Sequence, residues 1–87
     1  MRIEMAHIQE QGINFAVFNA DATSHTDAGR QALLGRLIIE AQRNRLRVEK
    51  AALAFEEGGR IKYFGTPDLV QFLAPRGVPR WTHTLDV

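Results

Sequence analysis

The apolar segment Ile13–Phe18, interrupted only by Asn14, constrains the fold of this chain most strongly. Alternate residues of a strand point to opposite faces of a sheet, so Phe15 and Val17 lie on one face and their neighbours on the other. A strand that is apolar on both faces is covered on both sides, or is covered on one side and meets a partner on the other. The segment therefore predicts a central strand.

Four further segments have the alternation or composition of strands, and two have the periodicity of helices. Glycines separate two pairs of strands, at Gln9–Gly12 and at Glu57–Arg60, which indicates two hairpins. The predicted order is the strands 2–8 and 13–20, the helix 26–45, the strands 48–55 and 61–64, the helix 67–73 and the strand 81–87.

Both helices begin with capping residues. Ser24, followed three residues later by Asp27, approximates a capping box, and Thr26 is a second candidate for the first N-cap. The sequence Thr66-Pro67 gives the second helix an N-cap and a proline at its first position. These signals place the helix starts close to residues 26 and 67.

The element order ββαββαβ predicts an α+β fold with a mixed five-stranded sheet. If both helical connections shift in the same direction, right-handed crossovers place both helices on one face of the sheet. The expected architecture is a two-layer sandwich whose other sheet face is half exposed. With 87 residues, no linker and no repeat, the chain is expected to form a single domain, residues 1–87.

The first helix carries two apolar stripes. The wider stripe follows the spacing of one buried face and contains Leu33, Leu34, Leu37, Ile38 and Ala41. The second stripe is thinner and consists of Ala28, Ala32, Gly35 and Ile39. We expect the first stripe to cover the sheet and the second to meet either the second helix or another subunit.

Composition excludes several classes of protein. The chain has no cysteine, which rules out disulfides, a thiolate nucleophile and a cysteine-based zinc site. Its start does not resemble a signal peptide, and no apolar run is long enough to span a membrane, so we expect a cytoplasmic location. No nucleotide-binding or metalloprotease motif is present, and the sequence predicts no catalytic residue, cofactor or metal.

The net charge of +1 is the result of a cancellation. Residues 1–29 carry −3, residues 30–50 carry +4 and residues 51–87 are neutral. The basic segment is the only real charge cluster, and it is a candidate for contacts with phosphates because arginine forks suit phosphate oxygens. Its candidate anion- or nucleic-acid-binding residues are Arg36, Arg43, Arg45, Arg47 and Lys50. The alternative interpretation is a helix end whose arginines complement the helix dipole.

The polar segment 19–27 is a second candidate site, comprising Asp21, Ser24, His25 and Asp27. The carboxylates and the histidine are ligand types for Mg²⁺ or Mn²⁺, and Ser24 beside His25 is a nucleophile next to a base. The backbone N–H groups at the helix start are also suited to a small anion. The structural alternative, which the spacing favours, is a strand-to-helix loop rich in capping residues.

These patterns predict a small interaction or regulatory module, a homodimer or the binder of a protein partner, that uses the second helix stripe and the apolar face of the second strand. The alternative is a nucleic-acid-binding domain that uses the basic end of the first helix. An enzyme or anion-binding domain built on the 19–27 loop is the third hypothesis, and it has no positive catalytic motif.

Overall fold

The computed structural model describes residues 1–87 and contains five strands and two α-helices in the predicted order. A short 3₁₀ turn, Ala74–Arg76, follows the second helix. No helix has both the length and the apolar character needed to cross a bilayer. The elements are β1 (Arg2–Glu10), β2 (Ile13–Asn19), α1 (Asp27–Arg43), β3 (Lys50–Glu57), β4 (Arg60–Gly65), α2 (Pro67–Leu73) and β5 (His83–Asp86).

The strands form one sheet in the order β4-β3-β2-β1-β5. Only β2 and β3 pair in parallel, and the other three pairs are antiparallel. Both hairpins turn through two residues with positive φ, Gln11-Gly12 and Gly58-Gly59, which matches the twist of the strands that they join. The predicted mixed sheet, strand count and α+β class are confirmed, with β2 at the centre.

Capping hydrogen bonds to backbone groups define both ends of helix α1. Thr26, rather than Ser24, is the N-cap, and its Oγ1 accepts a hydrogen bond from the N–H of Gly29 at 3.1 Å. The helix ends at Arg43 because Arg45 takes a positive φ of 62°. The next N–H, of Leu46, then returns to the carbonyl of Ala41 at 3.1 Å, as in a Schellman cap.

Each face of the sheet has its own hydrophobic core. One core joins the Ala16/Phe18 side of β2 to Leu34, Leu37 and Ala41 of α1. The other joins the Phe15/Val17 side of β2 to α2. Its fully or nearly buried members are Ala6, Phe15, Val17, Ala52, Ala54, Leu69 and Leu73. The two helices therefore lie on opposite faces of the sheet.

The expectation that both helices lie on one face of the sheet, in a two-layer sandwich, is wrong. The handedness rule applies to crossovers between parallel strands, and only β2–α1–β3 is such a connection. Helix α2 joins β4 to β5, which run in opposite directions at opposite edges of the sheet. Nothing in the rule sets the face of α2, and the apolar Phe15/Val17 side of β2 is the side that it covers.

Gly65, at the end of β4, permits the close approach of β4 to β3. A Cβ at this position would meet the carbonyl oxygen of Ala51 and lie 2.7 Å from the Cα of Ala52. We expect Gly65→Ala to lower the free energy of unfolding by at least about 2 kcal/mol, measured by urea denaturation.

Gly35 provides the matched control, because a Cβ there meets no atom within 4 Å. Gly35 lies inside α1, where alanine is the better helix former. Gly35→Ala should therefore raise the free energy of unfolding by about 0.5–1 kcal/mol, measured at low protein concentration. Equal effects of the two substitutions would contradict the packing described for Gly65.

Candidate functional site

The connection between β2 and α1 is held by hydrogen bonds within the loop. Oδ1 of Asp21 accepts from the N–H of Thr23 at 3.2 Å and from its hydroxyl at 2.8 Å. These two bonds, the hydroxyl first, lower the pKa of the Asp21 carboxyl. Ala22, which follows Asp21, is fully buried and anchors the loop on the α1 side of the sheet.

Arg30 links this loop to the sheet. Its Nε donates to the carbonyl of Ala22 at 3.0 Å, and its guanidinium lies 4.6 Å above the ring of Phe55. The side chain is 18% exposed, and its Nη1 is 3.6 Å from the carboxylate of Asp27. Asp27 is thus the partner of Arg30, a residue that the sequence patterns do not single out.

The four predicted loop residues stay at the surface and do not converge. Ser24, His25 and Asp27 are exposed, and Asp21 is engaged with Thr23. Nowhere in the chain do three or more His, Asp or Glu side chains gather as a metal site would require. The contacts present here are those of a turn and a helix start, and anion binding by the loop stays a prediction.

Three of the five predicted basic residues already have acidic partners. Nη1 of Arg43 lies 2.7 Å from Oε1 of Glu40, and Lys50 forms an ion pair with Asp68 at the start of α2. Arg47 is 3.9 Å from Glu49, its second neighbour in sequence. Only two members of the cluster have no ion pair, and these are Arg36 and Arg45.

Glu49 also ties the start of β2 to the start of β3. Its Oε2 accepts from the backbone N–H of Asn14 at 2.7 Å, and its own N–H donates to the carbonyl of Asn14 at 2.9 Å. Asn14 is the one buried polar residue of the chain. The bond from the Asn14 N–H, with a smaller contribution from Arg47, lowers the pKa of the Glu49 carboxyl.

The second stripe of α1 lies on the outside of the molecule. Ala28, Ala32, Gly35 and Ile39 are all exposed, and 52% of the Ile39 surface is accessible. They occupy the side of the helix opposite its buried residues. Since α2 packs on the other face of the sheet, no element of this chain covers them.

A cleft that the sequence patterns do not reveal opens on the α2 side of the sheet, below the end of β1. It has a volume of about 370 Å³ and is bounded by α2, the 3₁₀ turn, the segment 77–82 and the last residues of β1. Arg76 and Arg80 belong to its lining. The available signal was the spacing Pro75-Arg76 and Pro79-Arg80 around Gly77, which by itself indicates only a helix stop and a loop.

Comparisons with protein-family models, with curated proteins and with solved structures find no match to this chain. The functional proposals therefore rest on the residues described above.

The contact between Glu49 and Asn14 predicts an acid-sensitive part of the stability. A carboxyl whose pKa is lower in the folded chain contributes stability that is present above its ordinary pKa of 4.5 and is lost as the pH falls through the lower value. We expect Glu49→Gln to remove this acid-sensitive contribution to the stability. Its melting temperature should then fall less steeply than that of the wild type below about pH 4.5.

Glu56→Gln is the control for this experiment, because Glu56 is exposed and forms no ion pair. The melting temperature of Glu56→Gln should depend on pH in the same way as that of the wild type. Parallel pH profiles for the wild type and Glu49→Gln would contradict the role given to Glu49.

Proposed function

We propose that this chain is a small interaction module that self-associates as a homodimer through the outer face of α1. The observation that carries the proposal is the stripe Ala28, Ala32, Gly35 and Ile39, which the fold leaves uncovered on the side of the helix away from the core. Contact with a second copy would remove the exposed surface of Ile39 from water.

The residues of the stripe permit a close helix–helix contact. A Cβ added at Gly35 meets nothing within 4 Å, so the helix surface is open at the middle of the stripe. Ala28 and Ala32 keep the side chains short on the N-terminal side of this opening, and Ile39 lies on its C-terminal side. The backbone of a second helix can therefore approach α1 there more closely than at a face of long side chains.

The dipole of helix α1 favours an antiparallel partner. In an antiparallel pair centred on Gly35, the first turn of one helix, which carries Asp27, lies beside the last turn of the other, which carries Arg43. Both side chains are mostly exposed, at 86% and 71%. The opposite ends of the two helix dipoles are adjacent in the same arrangement. Within the chain Asp27 is already 3.6 Å from Arg30, and Arg43 is 2.7 Å from Glu40. The antiparallel arrangement is therefore favoured by the helix dipoles and not by unpaired charges.

The size of the chain gives a further reason for self-association. Only 21 of the 87 residues are buried, and the core is divided between two faces of the sheet. Small domains bury a small share of their surface, and a second copy is one of the usual sources of additional burial.

Sedimentation velocity on matched lysine variants tests the dimer. We expect the wild type to be dimeric at about 100 µM, a concentration that populates a micromolar complex. Ile39→Lys should be monomeric, because it replaces the one large apolar side chain of the stripe with a charge inside the contact. The control Ile61→Lys changes an exposed isoleucine on β4, opposite Glu56, and should stay dimeric.

Two outcomes of this experiment would contradict the proposal. One is a monomeric wild type at the same concentration. The other is a dimer that dissociates with Ile61→Lys but not with Ile39→Lys. That result would show that the contact is formed by the edge strand β4 and not by α1.

The second candidate function is nucleic-acid binding at the basic end of α1, and the free guanidinium groups of Arg36 and Arg45 are the observation that favours it. A phosphate must compete with a carboxylate at Arg43 and Arg47, but not at these two residues. The cytoplasmic location expected from the sequence stays a prediction with either function.

Fluorescence anisotropy with labelled RNA and DNA at low salt tests this candidate. If the basic end binds, Arg36→Gln/Arg45→Gln should weaken binding more than the control Arg43→Gln/Arg47→Gln, whose arginines are already paired. The affinity should also fall with added salt, as counterion release requires. An anisotropy that does not change as protein is added to either nucleic acid would contradict nucleic-acid binding.

A further inference from the structure

The cleft of about 370 Å³ below the end of β1 is a preformed site of the size that small ligands occupy. We propose that it binds a small organic anion, a carboxylate or phosphate group carried on an apolar body. The site goes beyond the proposed self-association, because it lies on the α2 side of the sheet whereas the dimer uses the outer face of α1. Either proposal can fail without the other.

The interior of the cleft is apolar. Leu73, which is 2% exposed, and the half-buried Phe72 come from α2, and Ile8 comes from β1. Val78 and Pro79 line the opposite wall, and Val78 is 55% exposed. An apolar ligand body in the cleft would cover surface that the fold leaves accessible to water.

Two arginines supply the charge. Arg76 lies with its guanidinium 3.8 Å above the ring of Phe72, and its Nη1 donates to the Phe72 carbonyl at 2.6 Å. Neither Arg76 nor Arg80 forms an ion pair with a carboxylate. Glu10 is the one acidic residue of the lining, so the fixed charge of the cleft is positive. This charge selects an anion, and guanidinium forks suit carboxylate and phosphate oxygens.

The wall formed by residues 77–82 is held at both ends. The hydroxyl of Tyr63 donates to the carbonyl of Gly77 at 2.9 Å, and burial raises the pKa of that hydroxyl. At the other end, the N–H of Thr82 donates to the carbonyl of Met5 at 2.8 Å, and Oγ1 of Thr82 accepts from the N–H of His7 at 3.0 Å. A wall fixed in this way loses little conformational entropy on binding.

The free edge of β1 favours a small molecule over an extended peptide. Strand β5 pairs only with Arg2–Met5 of β1. Beyond these residues, the N–H of His7 donates a hydrogen bond to Oγ1 of Thr82. Because backbone groups point outward at alternate residues, only the carbonyl of His7 and the backbone groups of Gln9 are left to pair with an added strand. Peptide addition needs a run of such backbone groups, so the ligand is recognised by the cleft and not by the strand edge.

A chemical-shift titration of the ¹⁵N-labelled chain tests the site with defined probes. Phenyl phosphate and phenylacetate each combine an anion with an apolar body, and the comparison between them decides which anionic group is preferred. Inorganic phosphate and benzyl alcohol supply the anion alone and the apolar body alone. We expect one or both of the first two probes to bind at least about tenfold more tightly than the last two. Their binding should shift the amide signals of Ile8 and of residues 76–82, apart from Pro79, which has no N–H.

Arg80→Gln should weaken this binding by about tenfold, because it removes one charge-assisted contact from an exposed residue that has no ion pair in the fold. Arg60→Gln is the matched control, since Arg60 is also exposed and unpaired but lies on β4, and it should bind as the wild type does. Arg76→Gln should weaken binding by a similar factor.

Three results would overturn the proposal. The first is no saturable shift at the cleft with phenyl phosphate or phenylacetate at millimolar concentration. The second is inorganic phosphate binding as tightly as either of them, which would show charge attraction without a cleft. The third is wild-type affinity in both Arg80→Gln and Arg76→Gln.

Discussion

The burial of β2 on both of its faces is the constraint on which the rest of the structure depends. Val17 and Phe18 are adjacent in sequence and both are completely inaccessible to water, although their side chains point in opposite directions. One helix cannot cover both sides of a strand. Helix α1 covers the Phe18 side and α2 covers the Val17 side, so the central strand requires a layer of helix on each face of the sheet.

Both candidate functional surfaces result from this three-layer arrangement. Because α2 is on the far side of the sheet, the outer face of α1 with Ile39 has no partner inside the chain. Because α2 must connect to β5 at the opposite edge of the sheet, the segment 77–82 crosses below β1 and encloses the cleft with Arg76 and Arg80.

The sequence was informative about the candidate sites only where local chemistry determines the outcome. Thr26 was one of two predicted caps, and it takes that role through a bond to a residue three positions away. The pairing of Lys50 with Asp68 joins residues far apart in the chain, as does the bond between Asn14 and Glu49. Charge patterning along the chain cannot reveal such distant pairs, so it placed Lys50 among the free cations; the pairs Arg43–Glu40 and Arg47–Glu49, by contrast, join near neighbours in the sequence.

The sequence by itself determined the element order, the two glycine turns, the helix starts and the central position of β2. Each of these depends on the periodicity or the conformational preference of a few neighbouring residues. Only the tertiary structure decided the face on which α2 packs, the strand order at the sheet edges and the existence of the cleft. These depend on which distant surfaces meet, and the α2 connection joins antiparallel strands at opposite edges, where no handedness rule limits the choice.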